Sequence, residues 1–101
     1  KWEQIPPTTH ILMTHGPPYG ILDETFHGTN AGCNDLLERI EKIKPYVHVF
    51  GHIHEGYGVF EKTWKSVDRK KTTFINASTT TIEYKPENAI VVFDIPPLNI
   101  K

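Results

Sequence analysis

Tyr46-Val47-His48-Val49-Phe50-Gly51-His52-Ile53-His54 is the stretch whose reading decides the fold. Its first five residues are β-branched or aromatic at almost every position, which predicts a strand over 46–50. Gly51 ends the strand and frees the backbone to turn, so His52 and His54 fall in the loop beyond its carboxyl end. Upstream, Leu36, Leu37, Ile40 and Ile43 recur at the spacing of one helical face, starting from Cys33 and stopped by Pro45. Asn30 or Asn34 is the expected cap of that helix. Further upstream, His10-Ile11-Leu12-Met13-Thr14 predicts a buried strand, again with a histidine, His15, just past its end. Strand, helix, strand in this order predicts two parallel strands joined by a right-handed crossover. Ligand-binding groups in such units collect in the loops beyond the strands' carboxyl ends, where His15, His52 and His54 stand.

Around this unit, residues 1–9 contain Pro6 and Pro7 and predict an irregular lead-in, and residues 16–30, with Gly16, Pro17, Pro18 and Gly20, predict a long loop. Gly58-Val59-Phe60, Thr72 to Ile75 and Ile90 to Phe93 predict further strands, with a turn over Ser66 to Arg69. The fold class expected is α/β. The 101 residues, 38% hydrophobic and 23% charged, have the composition of one globular domain or a large piece of one. A net charge of −1 gives no broad field for nucleic acid or an anionic membrane. No apolar run is long enough to span a bilayer, so no membrane partner is expected. The single cysteine, Cys33, has no internal disulfide partner, which points to a reducing, cytoplasmic setting; on the helix's apolar face it is expected to be core. Lys1 stands where an initiator methionine would, and the chain is expected to be a piece of a longer protein.

Neutral imidazoles are ligands for zinc, iron and manganese, and two divalent ions about 3.5–4 Å apart clamp both the attacking and the leaving oxygen of a phosphoryl group. A histidine pair in a loop is equally often structural, so the wider pattern matters. Thr14-His15-Gly16-Pro17-Pro18, Ala31-Gly32-Cys33 opening a helix, Val47 through Gly58, and Phe74-Ile75-Asn76-Ala77-Ser78 follow one another in this order. From about Ile11 to Pro96 this succession resembles the calcineurin-like metallophosphoesterases, and within them the metallophosphoesterase-domain branch of animal brain.

The resemblance implies a four-layer α/β/β/α sandwich with a dinuclear metal site at one edge, of which residues 1–101 form the carboxyl-terminal half of a single domain. It implies that His15 and His52 bind one ion and His54 the other, the ions being manganese, iron or zinc. It implies hydrolysis of a phosphate ester, a phosphodiester above all. The family's Asp-x-His, Gly-Asp and Gly-Asn-His motifs, which supply the bridging carboxylate and the histidine near the leaving group, do not occur here. The missing amino-terminal half is therefore an expected partner, in the same polypeptide or as a separate chain. The alternative is a truncated or degenerate relative serving as a non-catalytic interaction module. His27, in the loop after His15, is placed by the resemblance where it could face the phosphate, a solvated loop histidine being the commoner reading, and Asn76 with Ser78 is read equally as orienting the site or as an ordinary turn. His10 and His48 are expected to be structural, and the run Lys62, Lys65, Arg69, Lys70, Lys71 a solvated hairpin tip.

Overall fold

The computed structural model describes residues 2–65 and 70–78. Strands β1 (Ile11–Met13), β2 (Val47–Phe50), β3 (Gly58–Thr63) and β4 (Lys71–Asn76) form one sheet in the order β1-β2-β4-β3, and the helix α1 (Asn34–Ile43) links β1 to β2. β1 and β2 are parallel, with Ile11 opposite Val47 and Met13 opposite Val49. β2 and β4 are also parallel, from Val47 opposite Thr73 to Phe50 opposite Asn76, while β3 returns antiparallel to β4. The parallel strand–helix–strand unit and the mixed α/β class expected from the periodicity are both present. The predicted strand Ile90 to Phe93 and the turn Ser66 to Arg69 lie outside the described residues.

Side chains alternate across the sheet, and the alternation sorts the core. Leu12, Phe50 and Phe74 face the helix, where Leu36, Ile40, Ile21 and Trp64 complete a buried cluster; Cys33 and Leu37 pack against its rim. Each such buried side chain contributes roughly 2 kcal/mol of transfer free energy. Trp64 and Thr72 lock the hairpin to the helix end: the Trp64 indole N–H donates to Thr72 Oγ1 over 2.7 Å, and that hydroxyl donates to the Pro45 carbonyl. On the opposite face Ile11, Met13 and Val59 are exposed.

Two local expectations are corrected. Neither asparagine caps α1: the N-cap is Cys33, with no side-chain bond, and Asn34 is already within the helix. Asn30 lies in the loop three residues before the Cys33 N-cap, where its side-chain amide donates to Asp23 Oδ1 at 2.7 Å. The lead-in contains a turn of 3-10 helix over Trp2–Gln4, closed by Ile5 N–H on the Trp2 carbonyl. At the other end of α1 the stop is as expected, with Lys44 at φ +52 donating its N–H to the Ile40 carbonyl before Pro45.

Candidate metal-ligand site

The site begins where the β1–β2 ladder runs past both strands. Thr14 donates its N–H to the Val49 carbonyl (3.0 Å), and Gly51 donates its N–H to the His15 carbonyl (3.1 Å). His15 is thereby held opposite Gly51, beside His52, and the two exposed imidazoles lie with ring centroids 4.5 Å apart at an interplanar angle of 39°. Residues 37 positions apart in sequence have become neighbours through parallel pairing.

His52 itself is conformationally costly. Its φ is +71°, and the Ile53 N–H reaches the Gly51 carbonyl over 2.8 Å across it. A three-residue turn centred on a positive-φ residue is rare, and for a side chain other than glycine this backbone costs on the order of 1–3 kcal/mol. A short 3-10 turn, His54–Gly56, follows at once and carries His54, half-buried, away along the chain.

Asn76, fully buried at the end of β4, ties this turn to the long loop. Its amide donates to the Ile53 carbonyl (2.8 Å) and the Leu22 carbonyl (3.0 Å), and its Oδ1 accepts the Ser78 N–H (3.1 Å). Gly56 is required by the same junction: a Cβ there would come within 2.1 Å of the Leu22 carbonyl oxygen. Glu55 adds a second link, its carboxylate accepting the Phe26 N–H at 2.7 Å. That bond, then Glu55's own backbone N–H and the nearby His54 and His27, hold the Glu55 carboxyl below the usual carboxylate range. The loop is also knitted internally by the buried Asp23, whose carboxyl oxygens accept Gly20 N–H, Gly32 N–H and the Asn30 amide. Leu22, Asp23, Phe26, Glu55, Gly56 and Tyr57 line an open cleft of about 630 Å³ at this junction.

His48 is wholly buried between the Phe50 and Phe74 rings, at centroid distances of 5.0 and 5.7 Å, and desolvation lowers its pKa to about 4. The His10 ring lies tilted against Tyr46, with centroids 5.6 Å apart. Both are structural neighbours of the strands, as expected.

Of the sequence-predicted site residues, the structure brings His15 and His52 together, with Asn76 beneath the turn that joins His52 to His54. His27 is exposed at the tip of the long loop, with its ring edge-on to Phe26 at 6.0 Å. Two imidazoles from adjacent loops fit a pair of ligands to one divalent ion. Among the described residues, no group of three or more His, Cys, Asp or Glu side chains is arranged to hold a metal ion. Sequence reading passed over Thr14, Asp23 and Glu55, which organise these loops. Asp23, three residues after Gly20 in a glycine-bearing loop, carried the one available signal, that of a side chain closing a turn.

No family model matches the chain. It is similar to the metallophosphoesterase domain-containing protein 1 of Homo sapiens and that of Mus musculus, each 44% identical over 98 residues, covering 95% of this chain and 28% of theirs. A UPF0046 protein of Caenorhabditis elegans is 40% identical over 95 residues, covering 94% of this chain and 30% of its own length. The chain thus spans less than a third of the length of these curated relatives.

Proposed function

The chain belongs to the metallophosphoesterase family, and on that premise we propose that it supplies part of a divalent-metal site for phosphate-ester hydrolysis, with phosphodiesters as the substrate class. The observation that carries the reading is the His15–His52 pair, 4.5 Å apart between ring centroids and exposed at the carboxyl ends of parallel strands. In this reading His15 and His52 bind one ion and His54 a second. The ions, manganese, iron or zinc, would supply Lewis-acid polarisation of the phosphoryl oxygens. The chain's own contribution is to hold neutral imidazoles at a rim: the Gly51–His15 bond sets the separation of the pair, and Asn76 sets the turn between His52 and His54. His27, on the loop that Glu55 tethers, is proposed to approach the substrate rather than a metal.

The remaining ligands, a bridging carboxylate among them, would come from the rest of a protein of the relatives' length, completing a four-layer sandwich of which residues 1–101 form the carboxyl-terminal part. The alternative reading is a truncated or degenerate relative serving as a non-catalytic interaction module. Titration of the chain with Zn²⁺, followed through its imidazole NMR resonances, tests the assignment. His15, His52 and His54 are expected to shift while His10 and His48 do not. If the three do not respond, the chain is not a metal-binding segment. The chain by itself is expected to show no turnover of bis-p-nitrophenyl phosphate with Mn²⁺; chelator-sensitive turnover would show instead that its own residues complete the site.

A further inference from the structure

We propose that His48 is a positioning residue for His15, acting through Thr14; the proposal rests on the reading of His15 as a metal ligand. Thr14 Oγ1 donates its single proton to the Gly16 carbonyl over 2.7 Å. Toward His48 Nε2, 2.9 Å away, the same oxygen has only lone pairs left, so His48 is the Nε2–H tautomer and donates. The burial that keeps this imidazole neutral agrees with that tautomer. The chain His48 Nε2–H to Thr14 Oγ1–H to Gly16 carbonyl therefore bridges over His15. With the Gly51 N–H on the His15 carbonyl, it pins the backbone on both sides of that residue.

The bond is an expensive way to fill a core. His48 is 0% exposed, packs against two phenylalanine rings, and its Nδ1 has no partner among the described residues. An orphaned polar atom in such a place is unfavourable, and an aliphatic side chain would fill the volume without it. What an aliphatic side chain cannot do is orient the Thr14 hydroxyl from beneath the sheet. Hydrogen bonds beyond the ligand shell orient metal ligands, and a directional bond from the core to the residue before His15 would act in that way on its backbone.

The test uses four variants of the chain: His48→Leu and His48→Gln, Thr14→Val and Thr14→Ser. In each, the thermal midpoint, the nuclear Overhauser contact between the His15 and His52 rings in metal-free protein, and the Zn²⁺ affinity are measured. Thr14→Val and His48→Leu are expected to weaken or erase the ring contact and reduce Zn²⁺ affinity about tenfold or more, while Thr14→Ser retains both. His48→Gln, which keeps a donor, is expected to fall between. A merely structural role would move the thermal midpoint of the His48 variants and leave the ring contact and affinity of folded Thr14→Val at the parent values; that result overturns the proposal. If His48→Leu does not fold, the Thr14 pair decides. If the parent chain takes up no Zn²⁺ at His15, the metal reading fails, and the ring contact alone then judges whether His48 positions His15.

Discussion

Gly51 donates its backbone N–H to the carbonyl of His15 over 3.1 Å, two residues beyond the last β1–β2 pair, Met13 and Val49. The hydrogen bond makes the sheet itself the ruler for the imidazole pair. Strand pairing has a side-chain period of two, so a one-residue slip of β1 on β2 would send His15 to the opposite face and replace it with Thr14 or Gly16. The placement of the candidate site is thus as robust as the register of the sheet, and four consequences can be measured.

His52→Gly is expected to stabilise the chain while weakening divalent-ion binding. Glycine takes φ +71° without a Cβ clash, which relieves the strain now carried by His52. After the added chain entropy of glycine is subtracted, the gain is about 1 kcal/mol, readable as a higher urea midpoint. A lower midpoint would mean that the imbalance at this turn is not strain.

Asn76→Asp is expected to destabilise at least as much as Asn76→Ala, by roughly 2–3 kcal/mol. A carboxylate cannot donate to the Leu22 and Ile53 carbonyls that the amide now serves, and it would bring repulsion where alanine only leaves a gap. Thermal unfolding of both variants gives the comparison; an Asp variant near the parent would show that the two carbonyls do not need this donor.

Stability is expected to fall with acidification through the histidine range. His48 has its folded pKa lowered from 6.5 to about 4 by burial alone, so between these pH values the unfolded chain binds a proton that the folded chain does not. Stability is then complete above pH 6.5 and decreases as pH falls toward 4, by roughly 3 kcal/mol in all. Denaturant unfolding at pH 7 and pH 4.5 measures the slope. In His48→Leu that part of the slope should vanish, leaving the acid loss from carboxylates such as Glu55, which begins as pH falls into the ordinary carboxylate range, where the unfolded chain is the first to take up the proton.

Asp23→Ala is expected to cost about 3 kcal/mol or to detach the loop 16–33, since three donors lose their buried acceptor together. Amide hydrogen exchange separates the two outcomes: fast exchange confined to Gly20, Gly32 and their neighbours marks local opening, and unchanged protection would show that the loop is held by other contacts.

The order of elements was legible in the sequence, because periodicity and punctuation are local. The leucine and isoleucine spacing of α1, the stop at Pro45, and the β-branched run before Gly51 determine a strand–helix–strand unit wherever they occur, and parallel pairing then carries His15 to His52. The quoted motifs also carried the family, which the relatives bear out. For Asn76, its place after a strand allowed either a site-orienting role or an ordinary turn, and it did not name the partners. Leu22 lies 54 residues away and Ile53 lies 23 away, distances at which no spacing rule operates. The Asn30 cap failed because α1 starts at Asn34 behind a Cys33 N-cap, which leaves Asn30 in the loop with its amide on Asp23. The left-handed backbone of His52, the tautomer of His48 and the tether from Glu55 to Phe26 belong wholly to the tertiary structure. Each depends on which polar atoms meet after burial, and residue type alone names the donors and acceptors without saying which of them will be left to pair.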